Sequence, residues 1–335
     1  MKTLYLLTLT MLLASCAKAQ PNIDAVRLDC IGQPLPKIRH MIEMKVLSDT
    51  LFFVYECDEG FGQRILRRAT IDKQKHQLVI GPEIGKRGNG NYVSFMPYPF
   101  VGEDGKMSVA GQDDGEIYKL ADDSVLMRTK TNLFNAKVPL AISQYAQDIF
   151  SVSPKKYVFI GREPAGGAQY AMSVDMDTAR MDTLHRISVS STQTAWMSNA
   201  GDMVYSNKYN RMAFAYRLHP IVDIFNADGT LVNKARIGKD TFNPNTLNEA
   251  DFEELNTLHT VDATYTQDYI YALHWACKYA EIPTASPTIY KIDWNGNIIN
   301  RYVSDSTFLY GIAAIDDSNF IGWTGNEFVI LTVHR

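Results

Sequence analysis

The chain has 335 residues, of which 46% are hydrophobic and 21% are charged, and its formal net charge at pH 7 is −4. These values are ordinary for a globular protein that is long enough to build a large core. Basic and acidic residues alternate along the chain without a lysine- or arginine-rich tract. This argues against a nucleic-acid partner, since nucleic-acid binding needs a clustered basic surface.

The N-terminal segment has the pattern of an export signal. Lys2 precedes an apolar run from Leu4 to Leu13. This run is too short for a membrane-spanning helix, which needs about 20 apolar residues, and it fits the apolar core of a signal peptide. The run ends in Leu13-Ala14-Ser15-Cys16, which resembles the bacterial lipoprotein signal, where cleavage before the cysteine is followed by its acylation. We therefore predict a signal peptide over residues 1–15 and a linker over 16–22 that is attached to the membrane through lipidated Cys16. Ordinary cleavage after Ala17-Lys18-Ala19 is the alternative.

The residue after the cysteine bears on localisation. Ala17 stands where an inner-membrane retention signal would place aspartate. The resemblance to sorting signals thus implies an outer-membrane lipoprotein of the cell envelope that faces the periplasm, with the cell surface as the alternative. No later stretch reaches 18 apolar residues.

An internal repeat determines the predicted architecture. Six segments place an apolar strand directly after a polar turn, at spacings of 50 to 58 residues, and their first apolar residues are Leu51, Met107, Tyr157, Met212, Ile270 and Phe320. A second strand follows each of them, and five of the six continue through a turn into a third. Asn-Ala-Asp-Gly at 226–229 and Trp-Asn-Gly at 294–296 supply the residues with positive φ that such hairpins need.

Units of this length, each with room for four short strands, predict an all-β fold over residues 23–335: a single six-bladed β-propeller. The last unit ends without an outermost strand, and residues 23–32 form a strand without a unit. We predict that this N-terminal strand pairs with the C-terminal blade and closes the ring. Residues 243–256 lack strand alternation and predict a short helix capped by Asn248, with Glu249 and Asp251 in its first turn.

The repeat also carries a family resemblance. SNKYNRMAFAYRLHPIVDIFNADGTL at 206–231 resembles the bacterial TolB-like six-bladed propeller lipoproteins, and DYIYALHWACKYAE at 268–281 with IYKIDWNGN at 289–297 is similar to the next blade of that family. IGKRGNGNYVSF at 84–95 resembles its glycine-rich loop, without the proline often found there. The resemblance implies an exported propeller and carries over no catalytic residue.

The sequence contains few patterns typical of catalytic or metal-binding sites. His259, Asp262 and His274 could converge on a metal, although structural histidines are the favoured interpretation, and no other histidine has ligand spacing. No metal or other cofactor is therefore predicted. Of the cysteines other than Cys16, at most two can pair, and we favour buried free thiols for Cys30, Cys57 and Cys277 over a disulfide.

One end of the predicted propeller has a residue composition that suggests a binding surface. In a propeller, the loops between the second and third strands and those between blades surround the central channel at the same end. Aromatic and basic residues concentrate there, which suits a ligand or partner surface. The candidate residues are Lys86, Arg87, Tyr92, Arg162, Glu163, Tyr216, Arg217, His219, Trp275, Lys278, Tyr279 and Trp323.

These observations favour a non-catalytic binding or scaffold lipoprotein that uses this face for a glycan or a protein partner. Two alternatives remain open. One is a propeller enzyme, a glycan hydrolase or lyase with dispersed acid and base residues, which two carboxylates in one pocket would favour. The other is a structural envelope component without a small ligand.

Overall fold

The computed structural model describes residues 23–57, 64–85, 96–102, 104–111, 116–121, 124–130, 147–163, 167–178, 180–190, 195–247, 249–304 and 307–333. They form six mainly antiparallel sheets, the blades of a propeller, numbered here in chain order. From the innermost strand outward, blade 1 consists of β3 (Ile38–Leu47), β4 (Thr50–Cys57), β5 (Arg64–Asp72), β6 (Gln77–Ile84) and β2 (Asp29–Gly32). Blade 2 consists of β7 (Pro97–Val101), β8 (Met107–Gly111), β9 (Glu116–Ala121) and β10 (Ser124–Lys130).

The four remaining blades continue this inner-to-outer order. Blade 3 consists of β11 (Gln147–Ser153), β12 (Lys156–Arg162), β13 (Gln169–Asp175) and β14 (Arg180–Ile187). Blade 4 consists of β15 (Gly201–Ser206), β16 (Arg211–Tyr216), β17 (Ile221–Asn226) and β18 (Leu231–Arg236). Blade 5 consists of β19 (Leu258–Tyr265), β20 (Tyr269–Cys277), β21 (Thr288–Asp293) and β22 (Ile298–Val303). Blade 6 consists of β23 (Gly311–Ala314), β24 (Asn319–Trp323), β25 (Phe328–Val333) and β1 (Ile23–Arg27).

The predicted six-bladed propeller is confirmed. The innermost strands contact one another in ring order, from β3 through β7, β11, β15 and β19 to β23 and back to β3. The six apolar positions of the sequence repeat all lie on the second strand of a blade, in β4, β8, β12, β16, β20 and β24. These strands are buried because they lie between two others and pack against neighbouring blades on both faces of the sheet.

The predicted hairpins between outer strands are also present. Gly229 and Gly296 have φ angles of +87° and +85°, which glycine adopts without steric cost. The Asp293 carboxylate accepts hydrogen bonds from the backbone N–H groups of Asn295 and Asn297, both at 2.9 Å. This turn, with a side-chain acceptor at its start and glycine at its tip, recurs because each blade must reverse its chain in a few residues.

The N-terminal segment closes the ring as predicted, but it forms two strands instead of one. β1 is antiparallel to β25, with Ile23 opposite Val333, whereas β2 is parallel to β6 in blade 1. Between them, the Leu28 side chain is 2% exposed and lies in the core that blades 6 and 1 share. Neighbouring blades have separate sheets, so a chain that pairs with both must break its strand where it crosses.

The insertion between blades 4 and 5 differs from the predicted helix. It contains a 3₁₀ turn at Pro244–Thr246 and one α-helical turn, α1, at Phe252–Leu255. Asn243 caps the 3₁₀ turn by accepting from the Asn245 N–H at 3.1 Å, while Asp251 precedes α1 without a side-chain cap and Asn248 lies outside the described residues. Buried Asn256 explains the difference, because its side chain bonds Asn243 N, Thr246 Oγ1 and Phe252 O and folds the segment into two short turns.

Two further 3₁₀ segments, Met197–Asn199 and Tyr279–Thr284, complete the helical structure in the described ranges. No helix there is long and apolar enough to cross a membrane. Cys30, Cys57 and Cys277 are free thiols, and Cys277 is buried. The burial predicted for Cys30 is wrong, since this residue lies on β2, whose side chains all face solvent at the edge of blade 1.

Candidate functional site

The central channel opens at two different faces. The innermost strands begin at one face, where the loops between second and third strands and the connections between blades lie, and we call this the loop face. They end at the opposite turn face, where tight turns such as Ser48–Asp49 join the first and second strands. The predicted binding residues belong to the loop face.

Two cavities adjoin each other at the loop face, and Met41 and Arg217 line both. The first has a volume of about 540 Å³ and is mainly aromatic and basic: its other lining residues include Arg39, His40, Trp275, Tyr279, Tyr310 and Trp323. The second has a volume of about 400 Å³ and descends into the channel: its charged and aromatic lining residues are Glu43, Arg64, Tyr98, Asp148, Arg162, Trp196, Asp202 and Glu253. We refer to these as the aromatic cavity and the channel cavity.

The structure brings together five of the predicted residues. Trp275, Tyr279 and Trp323 line the aromatic cavity, Arg162 lines the channel cavity, and Arg217 lines both. Glu163 and Lys278 line neither cavity and instead fix their own loops: the Glu163 carboxylate accepts from Ala168 N–H, and the Lys278 N–H donates to Glu281. Lys86, Arg87, Tyr92 and the lipidation candidate Cys16 lie outside the described residues.

Tyr216 and His219 are wrongly assigned to the binding surface. Tyr216 is fully buried, and its hydroxyl donates to Asp223 at 3.1 Å inside blade 4. His219 is 2% exposed, with Nδ1 at 2.9 Å from Asp240 Oδ2 and Nε2 at 3.2 Å from Ser198 O. Both side chains stabilise the blade and its connections, and neither faces a cavity.

The wall of the aromatic cavity is built around Trp275. This side chain is buried, its Nε1 donates to Leu309 O at 2.8 Å, and the rings of Tyr279 and Tyr310 meet it edge-on at centroid distances of 6.2 and 5.3 Å. The two tyrosines are 41% and 42% exposed, so their rings, and not that of Trp275, present the accessible aromatic surface. Gly325, with φ of +95°, lies against the Tyr310 ring, and a side chain there would press on it at 3.2 Å.

Arginines line the opposite side of the mouth. The Arg162 guanidinium lies 4.3 Å from the centroid of the Trp196 ring, a cation–π arrangement that fixes its plane. The Arg217 backbone N–H donates to Ala200 O at 2.7 Å, and the Arg217 carbonyl oxygen accepts from His259 N–H at 2.6 Å. Its Nη1 is 3.7 Å from Glu253, while within the described part of the chain its buried Nε makes no hydrogen bond.

Aspartates recur on three consecutive innermost strands, at the second position of β11 and β15 and at the fifth position of β19. Asp148 accepts from the Tyr98 hydroxyl at 2.7 Å and from Met203 N–H of the next blade at 2.6 Å, and Asp262 accepts from Ile312 N–H of its next blade at 2.6 Å. Burial raises the pKa of Asp148 to about 6 and that of Asp262 to about 7, against the effect of these hydrogen bonds. These aspartates therefore join neighbouring blades at the axis.

Asp202 lies between them in the ring and differs in its contacts. Its Oδ2 is buried and has no hydrogen-bond partner among the described residues. Burial, followed by the charge of Asp148, raises the pKa of Asp202 well above its ordinary value, although Arg217 opposes this. Its surroundings therefore favour the neutral form of the Asp202 carboxyl group over the ionised form.

Lys45 lies deeper in the channel, where it is 9% exposed and 3.1 Å from Glu43. Burial by itself would lower the pKa of the Lys45 ammonium, but the charges of Glu43, Asp148 and Asp262 raise it above its ordinary value. Lys45 also lines a separate cavity of about 630 Å³ at the turn face. An ion pair at the axis thus stands between the two mouths of the channel.

The suggested metal ligands do not converge. His259 Nδ1 and His274 Nε2 are 3.2 Å apart in a buried pair, and Asp262 is bonded to Ile312 N–H. In the described ranges, no three histidine, cysteine or acidic side chains are grouped so that they could hold a metal ion. Burial lowers the pKa of His259 to about 4 and that of His274 to about 3, so both imidazoles are neutral at ordinary pH.

Comparison with known proteins identifies the architecture. No protein-family model matches the sequence, and no curated protein sequence matches it. Among solved structures, a member of the DUF4221 family from Bacteroides vulgatus superimposes with a TM-score of 0.57 at 10% identity, over 95% of this chain and 97% of the other. A protein of unknown function from Bacteroides thetaiotaomicron superimposes with a TM-score of 0.54 at 11% identity, over 95% of this chain and 77% of the other. These similarities show a shared fold.

Several residues of this propeller's mouth were not predicted from the sequence. They are Arg39, Arg64, Trp196 and Tyr310 at the loop face, and Glu43, Lys45, Tyr98, Asp148 and Asp202 in the channel. The aspartates carry a recoverable signal, since Asp148, Asp202 and Asp262 recur once per repeat, each a few residues before an apolar strand end. Tyr310 immediately precedes the innermost strand β23, a short strand with the sequence Gly-Ile-Ala-Ala, and its connection was not recognised.

Proposed function

We propose that the protein is a non-catalytic glycan-binding lipoprotein of the bacterial cell envelope, related in architecture to TolB-like propellers, which binds its ligand at the loop face. The observation that carries this proposal is the pair of adjoining cavities, one lined mainly by aromatic rings and the other by three guanidinium and four carboxyl groups, to which five predicted residues contribute. Sugar rings pack their C–H faces on exposed aromatic rings, and their hydroxyls need a few convergent polar groups, which this mouth provides.

The first test is a matched pair of tyrosine variants. Tyr310→Ala removes an exposed ring at the loop face and should weaken oligosaccharide binding about tenfold, which corresponds to roughly 1.4 kcal/mol. Tyr209 is equally exposed at 42%, but it follows β15 at the turn face, so Tyr209→Ala should bind like the wild type. Binding of an oligosaccharide panel by titration calorimetry measures both, and equal losses in the two variants would contradict the proposal.

A propeller hydrolase is the second candidate function. It is favoured by one observation: Asp148 and Asp202, two carboxyl groups with raised pKa, line the same cavity beside Arg162. The binding experiment distinguishes the two candidates, because a binding protein leaves the oligosaccharides intact. Cleavage products that form with the wild type and are lost in Asp202→Asn would replace the binding proposal by the enzymatic one.

Membrane attachment is tested through its cysteine. Cys16→Ser should shift the protein from the membrane fraction to the soluble periplasmic fraction, because the acyl anchor can no longer form. Cys30→Ser is the control, since Cys30 is an exposed thiol that lies on β2, and this variant should stay with the membranes. Retention of the Cys16 variant in the membrane fraction would count against acylation.

A further inference from the structure

A third cavity lies beside the aromatic cavity at the loop face. It has a volume of about 310 Å³ and lies where blades 6 and 1 meet, between the turn that joins β24 to β25 and the segment that leads into β3. Trp323, Gly325 and Asn326 line both this cavity and the aromatic cavity, and residues 35–37 line this cavity alone. We call it the peripheral cavity.

Strand β3 passes the three cavities in succession. Ile38 lines the peripheral cavity, residues 39–41 line the aromatic cavity, and residues 41–43 line the channel cavity. Because β3 begins at the loop face and runs into the channel, the three cavities form one groove that leads from the rim of the propeller to its axis. The part of β3 from Ile38 to Glu43 spans roughly 16 Å at the ordinary rise of a strand. This groove is longer than a single sugar ring.

The inner end of the groove is closed. Glu43 in the channel cavity is 3.1 Å from Lys45, and both side chains are almost fully buried. The Lys45 ammonium of blade 1 lies 6.0 Å from the ring centroid of Tyr98 in blade 2 and 5.9 Å from that of Phe150 in blade 3, so this side chain extends across the channel. A ligand that enters from the loop face therefore stops at the Glu43–Lys45 pair.

The outer end of the groove is open to solvent. The peripheral cavity ends beside the ion pair of Arg27 with Glu327, whose side chains are 73% and 40% exposed. Gly325 lies where the peripheral cavity meets the aromatic cavity, and it has no side chain to block the passage. A linear molecule can therefore place one end in the channel while its other end extends beyond the rim.

The closed end carries groups that suit the hydroxyls of an uncharged sugar. Three guanidinium and four carboxyl groups line the channel cavity, so donors and acceptors of both charges are present. A sugar hydroxyl both donates and accepts, and it can bind such a mixed set. Several of these groups are held in place before a ligand arrives, since Arg162 is stacked on Trp196 and Asp148 accepts from Tyr98 and Met203.

We propose that the ligand is an uncharged oligosaccharide that enters the groove by one end. Its terminal sugar occupies the channel cavity, the next ring packs on Tyr279 and Tyr310 in the aromatic cavity, and the chain leaves over Gly325 through the peripheral cavity. The exposed amide of Asn326, which lines both outer cavities, bonds the sugar hydroxyls at this passage. This inference rests on the proposed glycan-binding function and adds the size of the ligand and its orientation.

The first test is the dependence of affinity on chain length. The probes are malto-, cello- and chito-oligosaccharides from the monosaccharide to the hexasaccharide, and binding is measured by titration calorimetry. In the best-bound series the tetrasaccharide should bind at least about tenfold more tightly than the monosaccharide, because it reaches all three cavities. The gain should then level off, since a longer chain extends into solvent.

A matched pair of asparagine variants tests the outer part of the groove. Asn326→Ala should lower affinity for the tetrasaccharide about fivefold through the lost hydrogen bonds, while affinity for the monosaccharide in the channel cavity stays unchanged. Asn207→Ala is the control, since Asn207 is also exposed but lies in the turn between β15 and β16 at the turn face. Thermal unfolding verifies that each propeller is intact.

The orientation is tested with labelled chains. The same tetrasaccharide carries a bulky fluorophore either at its reducing end or at its non-reducing end, and fluorescence anisotropy measures binding. One label should abolish binding, because that end must enter the closed channel cavity, and the other should be tolerated, because its end lies in solvent. Equal binding of the two labelled chains, or of neither, would contradict entry by one end.

The outcomes separate this inference from the function on which it rests. Equal affinity for the monosaccharide and the tetrasaccharide would overturn the inference and leave glycan binding in place, as would tighter binding of tetragalacturonic acid than of any uncharged chain. A loss of affinity in Asn207→Ala, and not in Asn326→Ala, would place the ligand in the turn-face cavity, which Asn207 lines, and would also overturn it. Failure of every saccharide at every length would overturn glycan binding itself.

Discussion

Removing residues 23–32 should lower the unfolding temperature of the entire propeller by about 10 °C or more, because the ring loses the only segment that pairs with both blade 6 and blade 1 among the described residues. In the intact protein, β1 covers β25, and β2 covers β6. Without them both blades expose strand edges, and the core between them loses Leu28. Circular dichroism melting of the protein with and without the segment measures the effect.

A pair of point substitutions gives a finer measurement of the same contact. Leu28→Ala should cost about 2–5 kcal/mol in the free energy of unfolding, since Leu28 is 2% exposed between the two blades. Val26→Ala, two residues earlier on β1, should cost less than about 0.5 kcal/mol, because Val26 is 40% exposed. Urea unfolding measures both. Equal stabilities of the two variants, or an unchanged melting temperature after the deletion, would show that the crossing does not hold the ring together.

The fold was predictable because its signals are local and repeated. Each second strand is a run of apolar residues between polar turns, and six occurrences at similar spacing average out the errors of any single one. Gly229 and Gly296 indicated their hairpins in the sequence, because these turns need positive φ angles, which glycine adopts easily. The break at Leu28 has no such local signal, because it is imposed by two blades that are far from residue 28 in the sequence.

The position of each binding residue along the chain could be predicted from the sequence only to within about one residue. Adjacent residues near a strand end point to opposite sides, so Arg217 lines the cavities while Tyr216 is buried in its blade. A register taken from sequence alone cannot separate these neighbours. Asp148 and Asp202 were missed for a different reason: their recurrence once per repeat is visible in the sequence, but only the ring shows that their strands are innermost and that Asp148 bonds the next blade.

Acidification should reveal two opposing contributions to stability inside this propeller. His259 and His274 have pKa values of about 4 and about 3 in the folded protein, against about 6.5 in the unfolded chain, so the unfolded chain binds their protons first and stability falls as the pH drops below that value. Asp148 and Asp262, at about 6 and about 7, bind protons more tightly in the folded protein, so their contribution rises as the pH falls through these values. Each group contributes roughly 2–3 kcal/mol between pH 7.5 and 4.5.

Because these contributions have opposite signs, they partly cancel in the wild-type free energy of unfolding across this range, and variants should separate them. In the double variant His259→Gln, His274→Gln only the aspartates remain, so stability should increase from pH 7.5 to 4.5. In Asp148→Asn one proton-binding group is lost, so from pH 7.5 to 4.5 stability should rise less, or fall more, than in the wild type, whatever the absolute cost of altering the bonds to Tyr98 and Met203. Urea unfolding at four pH values gives the slopes. Parallel slopes for wild type and both variants would mean that the buried histidine pair and the axial aspartates do not control the acid response.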